Sequence, residues 1–204
     1  SLFSPKEVEP LTNKKIICWV GKLNDHKNWQ GFLTLAEKIS AHRDDCVFWI
    51  IGGETASIKA TRHLFQEINK RNLHIQWIDR MEYNEMPDLY SLVADSGGCT
   101  VSTSKGESFG MSLIEAMACG CPAVAPTVGA IPEIYEGTLQ RLTYKLHDLD
   151  SCEAIVHRLL DNKEERRTQI NSGIKKVKKD YSIHHVVKQY FELLQNLSTV
   201  QKVW

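Results

Sequence analysis

Apolar positions follow two alternating patterns along the chain. Short runs that are apolar almost throughout predict strands at 15–20, 46–51, 75–78, 98–101 and 123–125, with a sixth at 142–144. Between them, apolar residues recur at helical spacing. Phe32, Leu33, Ala36 and Ile39 define a helix over 28–41, and Ile58, Thr61, Leu64, Phe65 and Ile68 define the buried face of a helix over 57–69. Met86, Leu89, Tyr90 and Val93 place a short helix at 85–94, and 111–118 is another. Three helical segments, 152–160, 163–179 and 183–197, end the chain.

Strands without a polar face, alternating with amphipathic helices, predict a parallel sheet covered on both sides. The expected fold is α/β: a Rossmann-like, doubly wound parallel sheet of about six strands. In such sheets ligands bind beyond the carboxyl ends of the strands. The loops after Val20, Ile51, Ile78 and Val101 are therefore where chemistry is expected.

Composition agrees and narrows the function. The 204 residues are 42% hydrophobic and 25% charged, with 25 basic and 25 acidic residues and a net charge of zero. This is ordinary globular composition, and it lacks the basic excess of a domain built to hold nucleic acid. No apolar run approaches the ~20 residues of a membrane span. The N-terminus has neither a signal-peptide pattern nor an initiator Met, which predicts a processed chain or a piece of a longer one. The six cysteines show no paired metal-site spacing and are expected to be reduced, buried thiols. Cys119 and Cys121 are the carriers of any redox or metal role.

The loops carry the candidate chemistry. Gly21-Lys-Leu-Asn-Asp-His-Lys27 puts Lys22 and Lys27 beside a helix start, either as a phosphate-binding pair or as two solvated lysines. Gly52-Gly53 permits a close approach to a ligand or a tight turn. Neither the dinucleotide nor the P-loop glycine fingerprint occurs. Most informative is the polar loop from Ser102 into a helix at Met111. The amides of Gly110, Met111 and Ser112 would lie unsatisfied at that helix start and favour an anion. Glu107 and Glu115 would suit hydroxyls, so amides and carboxylates together describe a nucleotide-sugar. The plainer reading makes Glu107 a helix-dipole partner and Glu115 a surface residue.

Glu107 to Glu115 resembles the Glu-x7-Glu signature of the group 1 (family 4) glycosyltransferases, with Glu-Ser-Phe-Gly in place of the usual Glu-Gly-Phe-Gly. The stretch from Ala116 to Ala125, then Gly129-Ala-Ile-Pro-Glu133, resembles the family's segment C-terminal to that signature, and Gly21 to Lys27 resembles its Gly-Arg-Leu-x-x-x-Lys. The likeness runs from about residue 15 to 195. It implies the C-terminal, donor-binding half of a GT-B enzyme. Residues 1–14 would lead in from an absent acceptor domain, 15–182 would form the donor domain, and the helix in 183–204 would pack on the absent domain. The implied activity is retaining, metal-independent sugar transfer from a nucleotide-diphosphate-sugar, with no cofactor.

By the same resemblance Lys27 matches the phosphate-binding lysine, and Lys22 stands where arginine is usual, which keeps the charge but loses the bidentate fork. Glu107 matches the residue that contacts the donor sugar. Glu107, Lys27 and Lys22 form the implied catalytic set. Ser108, Phe109, Gly110, Met111 and Ser112 would underlie the sugar and diphosphate, with Gly21 beside them. Glu115 would take the ribose hydroxyls, and Arg80 and Met81 would face the base. The implied partners are the donor, the chain's own acceptor domain, and a glycan or lipid-linked acceptor. The implied location is cytoplasmic, with peripheral attachment to the inner face of a membrane through Lys175-Lys-Val-Lys-Lys179 as the alternative. Two other readings stay open: a non-catalytic nucleotide-sugar-binding module, and a related GT-B enzyme such as a nucleotide-sugar epimerase. Asp148-Leu-Asp150 is expected to cap a helix, His184-His185 to be an ordinary pair, and Trp19, Trp49 and Trp77 to be core.

Overall fold

A computed structural model describes residues 2–10 and 13–200. Six strands form one parallel sheet in the order β3-β2-β1-β4-β5-β6. They are β1 Lys15–Val20, β2 Cys46–Ile51, β3 Ile75–Ile78, β4 Cys99–Val101, β5 Ala123–Pro126 and β6 Thr143–Tyr144. The register is regular, with Ile17 opposite both Phe48 and Cys99. The chain reverses its direction of travel across the sheet between β1 and β4, which makes their carboxyl ends the switch point.

The helices are α1 Trp29–Ser40, α2 Ile58–Lys70, α3 Met86–Asp95, α4 Met111–Ala118, α5 Ile131–Ile134, α6 Leu149–Asp161, α7 Lys163–Asp180 and α8 Ile183–Val200. α1 packs with α6, while α3, α4 and α7 pack together. Central strands β1, β4 and β5 are buried along almost their whole length. Burial of these apolar runs on both faces is the main driving force for the fold. All six cysteines are buried and free. Burial pushes the Cys119 thiol up to about 12 and raises Cys121 as well, which suppresses the thiolate that redox or metal chemistry needs.

Several expectations need correction. In α2 only Leu64 and Ile68 are buried; Ile58 is 79% and Phe65 45% exposed. Phe65 meets Trp77 of the edge strand β3 edge-on instead of entering the core. Trp19 is core, but Trp49 and Trp77 are half-buried. The basic run is only partly a solvated face, because Lys176 pairs with Glu136 at 2.6 Å and Asp180 at 2.8 Å.

The expected cap at Asp148 is present. Asp148 caps α6, accepting from the Ser151 N–H at 3.0 Å. Within 2–10, Phe3 meets Tyr83 and Tyr90 edge-on or tilted, and Lys6 pairs with Asp88 at 2.7 Å, so this segment lies against α3. On α8, Val186, Val187, Tyr190, Phe191 and Leu194 are all exposed. Residues 201–204 lie outside the described residues, and no helix among those described is long and apolar enough to cross a membrane.

Candidate functional site

The loops after β1 and β4 meet at the switch point and are joined by hydrogen bonds. Thr103 is 1% exposed, and its hydroxyl accepts from Trp19 Nε1 at 3.1 Å while donating to the Asn28 carbonyl at 2.8 Å. The Asn28 amide donates back to the Thr103 carbonyl at 3.0 Å. The Lys105 N–H donates to the His26 carbonyl at 2.8 Å, and Lys105 Nζ reaches Asp25 at 2.7 Å. Asn28 adopts a left-handed conformation to cap α1 and turn the chain into this junction.

This junction brings together two side chains that lie 80 residues apart in sequence. Lys27 Nζ donates to Glu107 Oε1 at 2.7 Å. The Glu107 side chain is only 9% exposed and that of Lys27 26%. Among the described residues, each is the other's side-chain partner and neither has a second one. The Glu107 backbone is fixed too. Its carbonyl accepts from the Ala130 N–H at 2.8 Å, and Gly129, at φ 53°, lies so close that a β-carbon there would collide with that carbonyl.

A cleft of about 660 Å³ opens beside the pair. Its walls include Gly21, Lys22, Lys27, Arg80, Met81 and Glu107, and the run Ser108, Phe109, Gly110, Met111 and Ser112. α4 begins here. Its N-cap, Gly110, is left-handed and offers no side-chain acceptor, so the first amides of the helix face the cleft without intrahelical partners. Lys22 is exposed at the rim with no ion-pair partner among the described residues. Arg80 is held by Glu54 at 2.8 Å and Glu82 at 2.6 Å, so its charge is already balanced. The cleft thus presents one unpaired cation, Lys22, two paired ones, Lys27 and Arg80, and a helix N-terminus, a set suited to an anion.

Glu115 is the one predicted residue outside this lining. It follows Met111 by four positions and Ser112 by three, so it continues the same helix face one turn deeper. It is half-buried, and burial pushes its carboxyl up to about 7, against a smaller lowering by the Tyr90 hydroxyl. That hydroxyl is itself buried without a hydrogen-bond partner, so it makes no formed bond to Glu115.

The structure therefore assembles all but one of the predicted residues around one cleft. Sequence reasoning missed His26, Glu54, Thr55, Asp79 and Met86, which also line it. Four of these lie in the loops singled out at the strand ends, but nothing in their spacing marked them. Gly52 and Gly53 line the cleft and also allow tight loop packing, because β-carbons there would meet Gly21 O at 2.5 Å and the Leu23 side chain at 2.8 Å. Among the described residues no group of His, Cys, Asp or Glu converges as a metal site, so His184 and His185 form no such cluster.

Comparison with known proteins gives a consistent picture. The sequence model described as "Glycosyl transferases group 1" matches residues 3–176. A sucrose synthase of Beta vulgaris is 26% identical over 227 residues, covering 100% of this chain and 29% of its own. Sucrose-phosphate synthase from Thermosynechococcus elongatus superposes with a TM-score of 0.81 at 19% identity, covering 98% of this chain and 50% of its own. The Anabaena protein HepE, solved with UDP-glucose, gives 0.78 at 16% identity, covering 90% and 49%. The chain thus spans under a third of the curated relative and about half of each of these two structures.

Two outcomes are expected from this geometry. Thr103→Val strands the buried Trp19 indole N–H and leaves the Asn28 carbonyl with only the Gly31 N–H, and is expected to cost about 1–3 kcal/mol of stability in denaturant unfolding. For Glu115, a carboxyl raised in the folded state from 4.5 to about 7 leaves the unfolded chain binding fewer protons between those values. Its contribution therefore falls as pH rises through that window and is constant above it. Glu115→Gln should accordingly gain melting temperature over the parent between pH 4.5 and 7, with the gain level at higher pH.

Proposed function

The chain belongs to the group 1 glycosyltransferases, and on that premise we propose that its cleft holds a nucleotide-diphosphate-sugar during transfer of the sugar to an acceptor. The observation that carries this reading is the convergence, at the switch point, of Lys22, Lys27 and the open N-terminus of α4 on one side of a buried carboxylate, Glu107. Cation and amides suit a diphosphate. A nearly buried carboxylate suits hydroxyl donors, which a sugar supplies in pairs.

In this reading the diphosphate lies over Gly110, Met111 and Ser112, with Lys27 and Lys22 on its oxygens and Gly21 beneath. As the bond to the sugar breaks, negative charge grows on the departing diphosphate. Fixed amides and ammonium groups stabilise that charge without reorganising. The same groups make a metal unnecessary in the proposed reaction. Glu107, over Ser108 and Phe109, orients the sugar. Glu115 receives the ribose hydroxyls, and the base lies toward Arg80 and Met81. Retention of anomeric configuration belongs to the proposal, as do an acceptor domain elsewhere in a longer protein and a glycan or lipid-linked acceptor. The apolar face of α8 would pack on that domain, and this chain alone would bind donor without transferring it. A structure of HepE contains UDP-glucose and one of TarM contains UDP, which makes uridine nucleotides the first to try.

Calorimetric titration with UDP, GDP and ADP, and with a sugar conjugate of each, tests the proposal. One nucleotide should bind selectively, with the same affinity in magnesium and in EDTA. Glu115→Ala should weaken it by about 1–3 kcal/mol, a loss of roughly 5- to 150-fold. Unchanged affinity in Glu115→Ala removes the ribose assignment, and loss of binding in EDTA removes metal independence.

A further inference from the structure

The Lys27–Glu107 pair has a consequence for which ligands the cleft prefers. Glu107 is nearly buried, and its carboxylate has Lys27 as its sole side-chain partner among the described residues. A buried charge is tolerated only while it is paired or hydrogen-bonded. Removing one member of such a pair is costly because the other is left uncompensated. Any anion that draws the Lys27 ammonium to itself therefore strands Glu107, unless the same ligand also brings hydrogen-bond donors to that carboxylate.

Two classes of ligand differ on this point. A nucleoside diphosphate brings only the anion to this ion pair. A nucleotide-sugar supplies the anion and, just beyond it, hydroxyls that can donate to Glu107. Resting on the donor-site reading, we propose that the Lys27–Glu107 ion pair makes the cleft select the intact nucleotide-sugar over the sugar-free nucleoside diphosphate. Glu107 is then both a sugar contact and a competitor for the cation that holds the diphosphate. Occupancy of the two halves of the site is coupled, and the coupling is reciprocal. Once the sugar has left, the diphosphate remains in a site that now holds an unpaired carboxylate, which favours its release. Specificity here is a difference between two affinities, obtained partly by penalising the wrong ligand.

The test is a pair of dissociation constants for the parent chain and for Glu107→Gln. The probes are UDP with UDP-glucose and UDP-N-acetylglucosamine, GDP with GDP-mannose, and ADP with ADP-glucose. Glu107→Gln keeps the shape but no longer holds Lys27 by charge. It should tighten the free nucleotide by about threefold or more and weaken the conjugate, so that their ratio collapses toward one. A ratio that is unchanged, or a free nucleotide that binds Glu107→Gln no better than the parent, overturns the coupling while leaving the donor site in place. Failure of every nucleotide and conjugate to bind the parent overturns the donor-site reading and the coupling with it. Thermal unfolding supplies a ligand-free check on the pair. Lys27→Met should lower the melting temperature, and Lys27→Met/Glu107→Gln should regain part of the loss. Equal melting of the single and double variants overturns the claim that Glu107 depends on Lys27.

Discussion

The junction at Thr103 is the constraint on which the site depends. A parallel sheet brings the ends of β1 and β4 to one edge, but it does not fix how their loops lie against each other. Thr103 does, by bonding Trp19 on β1 and Asn28 at the start of α1 while it sits at the end of β4. The bond to Trp19 is buried and the two to Asn28 partly so, which makes the Trp19 bond the costliest to leave unmade. They hold Lys27 on one loop within hydrogen-bond distance of Glu107 on the other. Gly129 and Ala130 then clamp the Glu107 backbone from the far side. The position of the pair is thus set by the hydrogen bonds and backbone contacts around it as well as by the two charges.

This arrangement explains how a chain with no net charge can hold an anion. The basic residues are mostly balanced locally. Arg80 is paired with Glu54 and Glu82, Arg43 with Asp45 and Asp161, and Lys176 with Glu136 and Asp180. What remains at the cleft is Lys22, the exchangeable Lys27, and the first amides of α4. The field is short-ranged and directional, suited to one diphosphate in one place and unlike the broad basic surface that nucleic acid requires.

Much of this was legible in the sequence. The central strands could be read because their runs are apolar almost throughout, which only a sheet covered on both faces rewards. The short α5 and the 3-10 turn at Gly137–Leu142 were not read, because four to six residues bounded by Pro and Gly carry no helical period. The exposure of Ile58 and Phe65 was misjudged, because periodicity shows which face of a helix is apolar but not how much sheet lies beneath it. In the site, spacing left Lys27, Glu107 and Glu115 open between site and surface roles, and the resemblance of their motifs to the family's singled them out. That Lys27 and Glu107 bond to each other could not be read, since it depends on Thr103, Asn28 and Gly129 acting across the fold. Glu115 was read as a donor contact or as a surface residue, and the structure sets it outside the cleft lining, half-buried beside Tyr90.

The central claim is that one cleft, at the carboxyl ends of β1 and β4, is where the nucleotide-sugar sits. Nitrogen-15 NMR of this chain during titration with the nucleotide that binds tests it most directly. The account predicts that the largest amide shifts fall on Gly110, Met111 and Ser112 and on the loop from Gly21 to Lys27. The helix face opposite α4's start, and the turn between Gly137 and Leu142, should stay unmoved. Shifts concentrated away from the cleft, with the α4 amides unchanged, would contradict it.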